Sequence, residues 1–491
     1  MAREIGARVR VKSINREQML LRSIDVEKLV VEDHAVRAIW EMVGQLDLSA
    51  IYERIEAVEG KAGQSAHDPR LLMSLWIYAY SDGVSSAREV SRLCEYHPGY
   101  QWLTGMGSIN YHSLSDFRVR YAAELDELFT QVLGILSAEG LIGLKRVMQD
   151  GTKVKACAGI DTFRGEKALG KHLEMAAQQV RLLSDPASQE LSQRVARARQ
   201  RAVREKQQRL GHAVEELKQQ QAKCRKKDKA VRVSTSDPEC RIMKDGKGGY
   251  APSYNLQVMT DGQEKVIVGV RVSQEAGDTH ELATGIKQVA ERSGGSCQQV
   301  VTDGGYTSYE NLVVMGEQEV DWYSGLSQAM KGEGSSGGQN LPASVFQWEP
   351  ANNCYVCPAG ERLPFLKTEK RSGRIRHRYR CRMSVCRECR LKPQCCPRVR
   401  SHGRTIVRTE YEPELAEFVE KMQTAEAQQI YRKRGEVAEF PFAWIKEKMG
   451  LRQFRLRGLA RVQTEALWAC LAYNLKQWIR LRWKLQFAPS G

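Results

Sequence analysis

Two short segments, VMQDGT at 147–152 and QVVTDGG at 299–305, decide the fold class of this 491-residue chain. Each is a brief apolar run that ends near an aspartate, Asp150 in the first and Asp303 in the second, and continues into glycine. Brief apolar runs closed by turn-forming residues are typical of buried β-strands. We therefore predict two core strands, each of which delivers a carboxylate to the point where the strand ends.

The chain between these two segments predicts a mixed α/β core. Strand-like runs occupy 253–260 and 264–273, and they are joined by Asp261-Gly262, a dipeptide that favours a hairpin turn. A helical pattern over about 280–292 follows and leads into the second aspartate-bearing strand. Strands and helices in this order favour one mixed sheet that is covered by helices.

Helical patterns precede and follow this core, which we assign to 140–330 with a C-terminal part at 405–485. A lead-in, 1–66, comes before a helical N-terminal domain at 67–135. In that domain three short helices begin at capping residues and the third carries arginines, which matches the size of a DNA-binding helix-turn-helix unit. A plain helical bundle fits the same pattern equally well.

A basic helical insertion is predicted at 165–235. Its composition favours two long antiparallel helices separated near Ser184-Asp185-Pro186. Residues 194–229 hold 13 basic and 4 acidic side chains, and so uneven a charge favours contact with nucleic acid over a merely solvated surface. The whole chain agrees, because 75 Lys and Arg against 59 Asp and Glu give a net charge of +16, which favours a polyanionic partner.

The sequence lacks the features of a secreted or membrane protein. Its first residues have no apolar stretch of the signal-peptide kind, and its longest apolar runs are about half the length of a membrane-spanning helix. We therefore expect a soluble, cytoplasmic protein without a membrane partner. In that compartment the 13 cysteines are expected to serve as thiols or metal ligands rather than as disulfides.

A cysteine-rich insertion is predicted at 340–400. It contains the pair Cys354-x2-Cys357 and, after 28 intervening residues, the pair Cys386-x2-Cys389. Two such pairs can supply four thiolates to a tetrahedral structural Zn²⁺ ion. The spacing therefore predicts a zinc site, with reduced structural cysteines as the alternative.

Further thiols leave the choice of zinc ligands open. Cys381, Cys395 and Cys396 lie in the same insertion, which follows a Gly/Ser linker at 332–338. Basic residues dominate 367–408, where 15 stand against 2 acidic ones. Once folded, such a segment is expected to present a phosphate-binding surface.

Three acids have the positions that metal-dependent phosphoryl transfer requires. Asp150 and Asp303 follow strands of the core, and Glu439 lies in a helical stretch of the C-terminal part. Hard divalent ions such as Mg²⁺ or Mn²⁺ bind a few carboxylates and leave positions open for phosphate and water. One such acid alone indicates little, but the three together favour a catalytic metal site.

Longer segments around these residues resemble bacterial insertion-sequence transposases of the DDE superfamily. The resembling segments are His67–Arg118 for the helical N-terminal domain, MQDGTKVKA around Asp150, VVTDGGYTSYENL around Asp303, and YRKRGEVAEFPFAWIKEKMGLRQFRLRGL at 431–459. The resemblance implies an RNase H-like catalytic core. It also implies that Asp150, Asp303 and Glu439 bind the catalytic metal ions.

The last segment resembles the Tyr-Arg-Glu-Lys signature of one group within this superfamily, on Tyr431, Arg434, Glu439 and Lys446. The resemblance implies that Arg434 and Lys446 hold DNA phosphates near the cut, with Tyr431 in the same region. Lys446 follows Glu439 by seven residues, or two helical turns, which predicts that both lie on one helix face. Glu436 is the alternative third acid, but its distance from Lys446 fits the signature less well.

The residues and the resemblance together indicate a DDE transposase that cleaves DNA and transfers strands to move an insertion sequence. Its expected partner is double-stranded DNA, both at the element ends and at the target. Because two ends must be cut together, we expect a homodimer on DNA, associated with the nucleoid. The alternatives are a catalytically inactive, transposase-derived DNA-binding regulator and a metal-dependent nuclease with the same core.

Overall fold

The computed structural model describes residues 16–19, 21, 23–58, 64–184, 193–223, 230–246, 248–326, 341, 343–371, 374–397, 402–411 and 413–487. The predicted linker at 332–338, residues 1–15 of the lead-in and the predicted helix break at Asp185-Pro186 lie outside this part of the chain. The described residues form a mixed sheet surrounded by helices, a pair of long helices, and a smaller sheet with two short helices in the segment that contains the clustered cysteines.

The strands carry the two aspartate-bearing segments. In chain order they are β1 (Arg146–Lys155), β2 (Phe163–Arg164), β3 (Val233–Ser234), β4 (Arg241–Lys244), β5 (Tyr250–Asp261), β6 (Ile267–Ser273), β7 (Gln299–Thr302), β8 (Asp321–Ser324), β9 (Gln347–Glu349), β10 (Cys354–Val356), β11 (Arg362–Arg371), β12 (Arg374–Arg380) and β13 (Thr405–Tyr411). The predicted strands at 253–260, 264–273 and 299–302 are therefore confirmed.

Helices make up most of the remaining regular structure. They are α1 (Ala35–Gly44), α2 (Ser49–Tyr52), α3 (Pro69–Ser81), α4 (Ala87–Tyr96), α5 (Pro98–Thr104), α6 (Tyr111–Arg120), α7 (Ala122–Ala138), α8 (Glu166–Ser184), α9 (Gln193–Lys223), α10 (Leu282–Ser293), α11 (Tyr309–Glu317), α12 (Met383–Glu388), α13 (Lys392–Cys395), α14 (Pro413–Gln423), α15 (Ala425–Arg432), α16 (Arg434–Ala443) and α17 (Leu459–Leu481). None of the described helices is both long and apolar enough to cross a lipid bilayer.

The central sheet is mixed, as the order of the predicted elements required. Its strands run in the order β4-β5-β1-β7-β8, and β6 also pairs with β5. β1 is antiparallel to β5 but parallel to β7, and β7 is parallel to β8. A parallel strand pair needs a long crossover connection, and α10 lies within the connection from β6 to β7. The mixed α/β class is thereby confirmed.

The N-terminal helices share one hydrophobic core with the central sheet. Helix α3 packs against α17, where the rings of Trp76 and Trp468 lie 6.5 Å apart. Arg118, on the third of the predicted helices, is buried, and its Nη1 donates to the Ser85 carbonyl at 2.6 Å. Its guanidinium also lies 4.7 Å from the Trp76 ring centre. This arginine therefore stabilises the helical bundle instead of facing solvent.

The helices predicted within 165–235 are present and antiparallel. Near one end of the pair Gln221 donates to Glu166 at 3.1 Å, and toward the other end Gln200 donates to the Leu183 carbonyl at 2.6 Å. The two helices share a short apolar seam, whose buried members include Leu169, Ala176, Leu210, Ala213 and Leu217. Most other positions on α9 face solvent, and Arg197, Arg199, Arg201 and Arg204 are exposed.

A second, smaller unit lies at 343–411, and we call it the cysteine module. Its five strands run in the order β13-β12-β11-β10-β9, and it also contains the short helices α12 and α13. Seven described side chains are buried in its own core, namely Phe346, Leu363, Tyr379, Cys381, Cys386, Cys395 and Ile406. Three of those seven are cysteines, so the apolar core of this unit is small.

Candidate active site

Asp150 and Asp303 lie on neighbouring segments of the central sheet. The prediction that Asp150 ends its strand is wrong, because β1 continues to Lys155 in its pairing with β5. Asp303 directly follows β7, as predicted. β1 pairs with β7 in parallel, with Met148 opposite Val301. Two residues further along, Asp150 is therefore level with Asp303. Neighbouring strands lie about 4.8 Å apart, and residues at one level of a parallel pair point to the same side of the sheet. The structure thus brings the first two predicted acids together.

The Asp150 carboxyl group is largely buried, with 17% of its side chain exposed. Burial is the main reason that the pKa of Asp150 is raised to about 6, and the nearby carboxylates of Asp303 and Asp278 act in the same direction. The Gly151 amide, which donates to Asp150 Oδ1 at 2.8 Å, and the Arg434 guanidinium oppose this rise in pKa. A buried carboxylate close to two others is stabilised when a cation binds beside it.

Arg434 connects Asp150 to Glu439. Helix α16 begins at Arg434 and packs against β1. Arg434 Nη1 lies 3.5 Å from Asp150 Oδ2, and its Nη2 lies 3.9 Å from Glu439 Oε1. The guanidinium therefore lies between the two carboxylates, whereas the Glu439 side chain is 69% exposed. The third predicted acid thus borders the site from the solvent side.

Lys446 lies beside the strand that carries Asp150. Its Nζ donates to Thr152 Oγ1 at 2.5 Å and to the Lys153 carbonyl at 3.2 Å. Burial lowers the pKa of Lys446, which the negative charge of Asp150 partly offsets. A π-helical turn over Trp444–Lys448 interrupts the regular helical spacing on which a shared face with Glu439 was predicted.

Tyr431 lies against the loop that follows β8. A Cβ atom added at Gly325 would come within 2.5 Å of the Tyr431 hydroxyl oxygen, and one added at Gly304 would come within 3.0 Å of the Gly325 carbonyl. The ring of Tyr431 lies 5.9 Å from the Arg434 guanidinium. Gly304 and Gly325 lie against each other in space, and their lack of side chains leaves room for the Tyr431 hydroxyl next to the segment that follows Asp303.

A layer of hydrogen-bonded polar side chains lies under the acids, and sequence reasoning missed it. Asp278 Oδ1 accepts from Asn255 and from Gln257, both at 2.7 Å, and from Lys153 Nζ at 3.3 Å. Tyr306, which lies three residues after Asp303, donates its hydroxyl to Gln257 Oε1 at 2.5 Å. The sequence did contain a signal for this layer. Asn255 and Gln257 are polar residues two positions apart on the predicted strand 253–260, so their side chains point to the same face of the sheet.

Asp278 therefore lies close to Asp150 together with Asp303. In the sequence it does not follow a predicted strand, so its position gave no reason to select it. A Cβ atom added at Gly151 would come within 2.6 Å of Asp278 Oδ1 and within 2.2 Å of Gln257 Nε2. The glycine after Asp150 thus allows the polar layer to approach β1 closely. Within the described residues, no three His, Cys, Asp or Glu side chains converge into a ready-made metal site.

The structure also places the four cysteines predicted from the CxxC pairs. Cys357, Cys386 and Cys389 line one cavity, and Cys354 does not. Cys354 instead directs its thiol to Glu349 Oε2 at 3.2 Å. The other cysteines that line the cavity are Cys381, Cys395 and Cys396.

Comparison with known proteins finds two matching family models. A model described as "Transposase DDE domain" matches residues 356–479, and one described as "Transposase domain (DUF772)" matches residues 24–120. The first match includes Glu439 and most of the clustered cysteines, and the second includes helices α1 to α6.

None of the curated proteins compared matches this chain. Among solved structures, the piggyBac transposase synaptic complex with hairpin DNA, determined by cryo-EM, is similar at 9% identity. The alignment covers 95% of this chain and 82% of that one, with a TM-score of 0.24.

Proposed function

Because this chain is an insertion-sequence transposase of the DDE type, a DNA-cleaving and strand-transferring enzyme, we propose that Asp150, Asp303 and Glu439 form its catalytic triad. The observation that carries the proposal is that Asp150 on β1 lies beside Asp303, directly after β7, with Arg434 between Asp150 and Glu439. Three acids from distant parts of the sequence thereby border one side of the central sheet.

The proposed core is RNase H-like. The strand arrangement supports this, because the antiparallel strands β6, β5 and β1 continue into the parallel strands β7 and β8. The helical pair α8–α9 and the cysteine module interrupt that core as insertions in this proposal, while α14 to α17 complete it. The catalytic acids then lie on β1, directly after β7, and on α16.

The acids fit Mg²⁺ or Mn²⁺ in chemical type, since carboxylate oxygens are the ligands that hard divalent ions prefer. The position of Arg434 supports the fit, because a cation already lies between the Asp150 and Glu439 carboxylates. In this proposal Asp150, Asp303 and Glu439 hold the ions, and Asp278 holds the polar layer beneath them. When bound, the ions lower the pKa of water and neutralise charge on the phosphoryl oxygens.

The cationic side chains position the DNA. Arg434 and Lys446 lie next to Asp150, so they are placed to contact the phosphates on either side of the scissile bond. Water attacks the phosphorus at the element end, the P–O3′ bond breaks, and a 3′-hydroxyl is released. That hydroxyl then attacks a target phosphodiester, forming a new P–O3′ bond and releasing the target 3′-hydroxyl. Both steps are phosphoryl transfers, so one site serves both.

We propose that duplex DNA also contacts α9 and that the active assembly is a homodimer. Arg197, Arg199, Arg201 and Arg204 are exposed on α9, on an arm long enough to reach beyond the core. A 31-residue helix is about 46 Å long, which exceeds one helical turn of DNA at about 34–36 Å. Light scattering of the protein with paired element ends should give two protomers per complex, and one protomer would contradict the proposal.

The catalytic proposal is tested with a labelled duplex that carries the element end and a target plasmid. We expect Asp150→Asn, Asp303→Asn and Glu439→Gln each to lower Mg²⁺-dependent cleavage and joining by about 100-fold or more, since even partners of metal ligands are worth about 10–100-fold. Binding to the duplex should persist, because affinity comes from many phosphate contacts.

Glu436→Gln is the matched control, since Glu436 lies on the same helix one turn before Glu439. It should cleave like the wild type. An inactive Glu436→Gln beside an active Glu439→Gln would overturn the third assignment. Cleavage without joining would identify a nuclease and overturn strand transfer, while binding without cleavage by the wild-type protein would identify a DNA-binding regulator.

A further inference from the structure

Six thiols from separate parts of the cysteine module surround one small cavity. Cys357 follows β10, Cys381 follows β12, Cys386 and Cys389 lie on or directly after α12, and Cys395 and Cys396 lie at the end of α13. The cavity has a volume of about 20 Å³, which is room for one water-sized particle. The fold therefore gathers thiols that are up to 39 positions apart in the sequence.

Cys386 lies at the centre of this cluster. Cys381, Cys395 and Cys396 all lie close to Cys386. Two backbone amides point at the sulfurs, with Glu361 N donating to Cys357 Sγ at 3.3 Å. The other is Arg404 N, which donates to Cys386 Sγ at 3.4 Å. Amide donors of this kind stabilise a thiolate more than a thiol.

The turn after β10 holds Cys357 in a fixed orientation. Gly360 N donates to the Cys357 carbonyl and Cys357 N donates to the Glu361 carbonyl, each at 2.8 Å. Gly360 has a φ of +83°, a left-handed conformation that glycine adopts without a steric penalty. This tight turn directs the Cys357 sulfur into the cavity with its amide donor already in place.

The module also needs more stabilisation than its apolar side chains supply. Its seven buried side chains must support a five-stranded sheet and two short helices, and three of the seven are cysteines. A core of that size is small for a unit of about 70 residues, and natural small units of this kind commonly use a structural metal. A bound metal that only the folded state can hold would supply the missing free energy.

We propose that one Zn²⁺ ion binds in this cavity through four of the six thiolates, with Cys357 and Cys386 among them and Cys354 excluded. Soft thiolates prefer Zn²⁺, whereas carboxylates prefer hard ions such as Mg²⁺, so we expect the zinc ion to bind here and not at the carboxylate site. Each thiol that binds releases its proton to solvent. Among the described residues no three thiols are yet placed to hold an ion together, so in this proposal the cysteine side chains rotate toward the cavity centre when the ion binds.

Cys354 separates this proposal from the pairing that the sequence suggests. It belongs to the first CxxC pair, but its thiol faces Glu349 on β9 and lies outside the cavity. A zinc site built from two CxxC pairs requires Cys354. The site inferred from the structure replaces it with Cys381, Cys395 or Cys396.

The test uses the full-length protein purified without chelators, with zinc measured by inductively coupled plasma mass spectrometry. We expect about one zinc per chain in the wild type and in Cys354→Ser, and loss of zinc in Cys386→Ser and Cys357→Ser. Zinc loss in Cys354→Ser, or two zinc ions per wild-type chain, would overturn the proposed ligand set. A wild-type protein that contains no zinc and still resists protease at 343–411 would overturn the site altogether.

A second measurement avoids variants that fail to fold. Removing zinc from the wild-type protein and adding Co²⁺ should give the intense absorption of a tetrahedral cobalt–thiolate centre, and added Zn²⁺ should abolish it. The absence of that absorption would also overturn the site. Asp150→Asn should keep its zinc, so a failure of the zinc proposal is distinguishable from a failure of the catalytic one.

Discussion

Replacing Asp150 by asparagine should stabilise the metal-free protein at neutral pH while abolishing catalysis. Asp150 is 83% buried in side-chain terms, since 17% is exposed, and the carboxylates of Asp303 and Asp278 lie nearby. Arg434 and Lys446 are the cations that face it. Asparagine keeps the shape of the side chain and an oxygen for the Gly151 amide, but it removes the buried negative charge.

The size of the effect follows from the pKa of Asp150, which rises from 3.8 to about 6 in the folded chain. At about 1.4 kcal/mol for each pKa unit, the ionised side chain costs about 3 kcal/mol in the folded state. Because the folded-state pKa is raised, the cost is absent below pH 3.8 and fully present above about pH 6. The wild type should therefore lose stability over this interval as pH rises, and the variant should not.

The assay is thermal unfolding in EDTA between pH 4.5 and 8, for the wild type, Asp150→Asn and the control Glu436→Gln. The melting temperature of Asp150→Asn should exceed that of the wild type by on the order of 5 °C at pH 8, with a much smaller gap at pH 4.5. Mg²⁺ should then raise the melting temperature of the wild type but not that of Asp150→Asn. Equal melting temperatures in EDTA at pH 8, or a lower one for Asp150→Asn, would refute the reasoning.

Two further predictions concern the surroundings of the acids. Gly325→Ala should displace Tyr431, because the added Cβ would lie 2.5 Å from its hydroxyl, and cleavage should fall about 10–100-fold; Gly316→Ala, with nothing within 4 Å, should cleave normally. Asp278→Asn removes a negative charge that helps to raise the pKa of Asp150, so the acidic limb of the cleavage pH profile should move to lower pH. An unchanged profile would show that Asp278 has no electrostatic role.

Local sequence patterns were sufficient to locate elements next to the proposed catalytic acids. The strand predicted before Asp303 covers the same four residues as β7, Gln299–Thr302. The helical pattern predicted over about 280–292 corresponds to α10 at Leu282–Ser293. These signals are readable because a buried strand or an amphipathic helix imposes its own short periodicity on neighbouring residues.

Tertiary structure alone decided which charged groups meet. Asp278 lies in no recognisable motif, yet it lies near Asp150 because Asn255 and Gln257, which donate to it, are on β5 directly beside β1. Arg118 is a basic residue on the third short helix, where a contact with DNA phosphates would be expected from the sequence. The packing of α3 against α17 buries it instead. Contacts of this kind depend on pairing between residues more than a hundred positions apart, or on helix packing that local periodicity does not encode.

The cysteines illustrate the same division. Their spacing was enough to predict a thiol cluster, because closely spaced cysteine pairs are typical of segments that gather several thiols. Spacing could not determine which pair members face each other, and the strand pairing of β9, β10 and β11 directs Cys354 to Glu349 while the following turn directs Cys357 into the cavity. Successive strand side chains point to opposite faces, so register within the folded sheet selects the sulfurs that can share an ion.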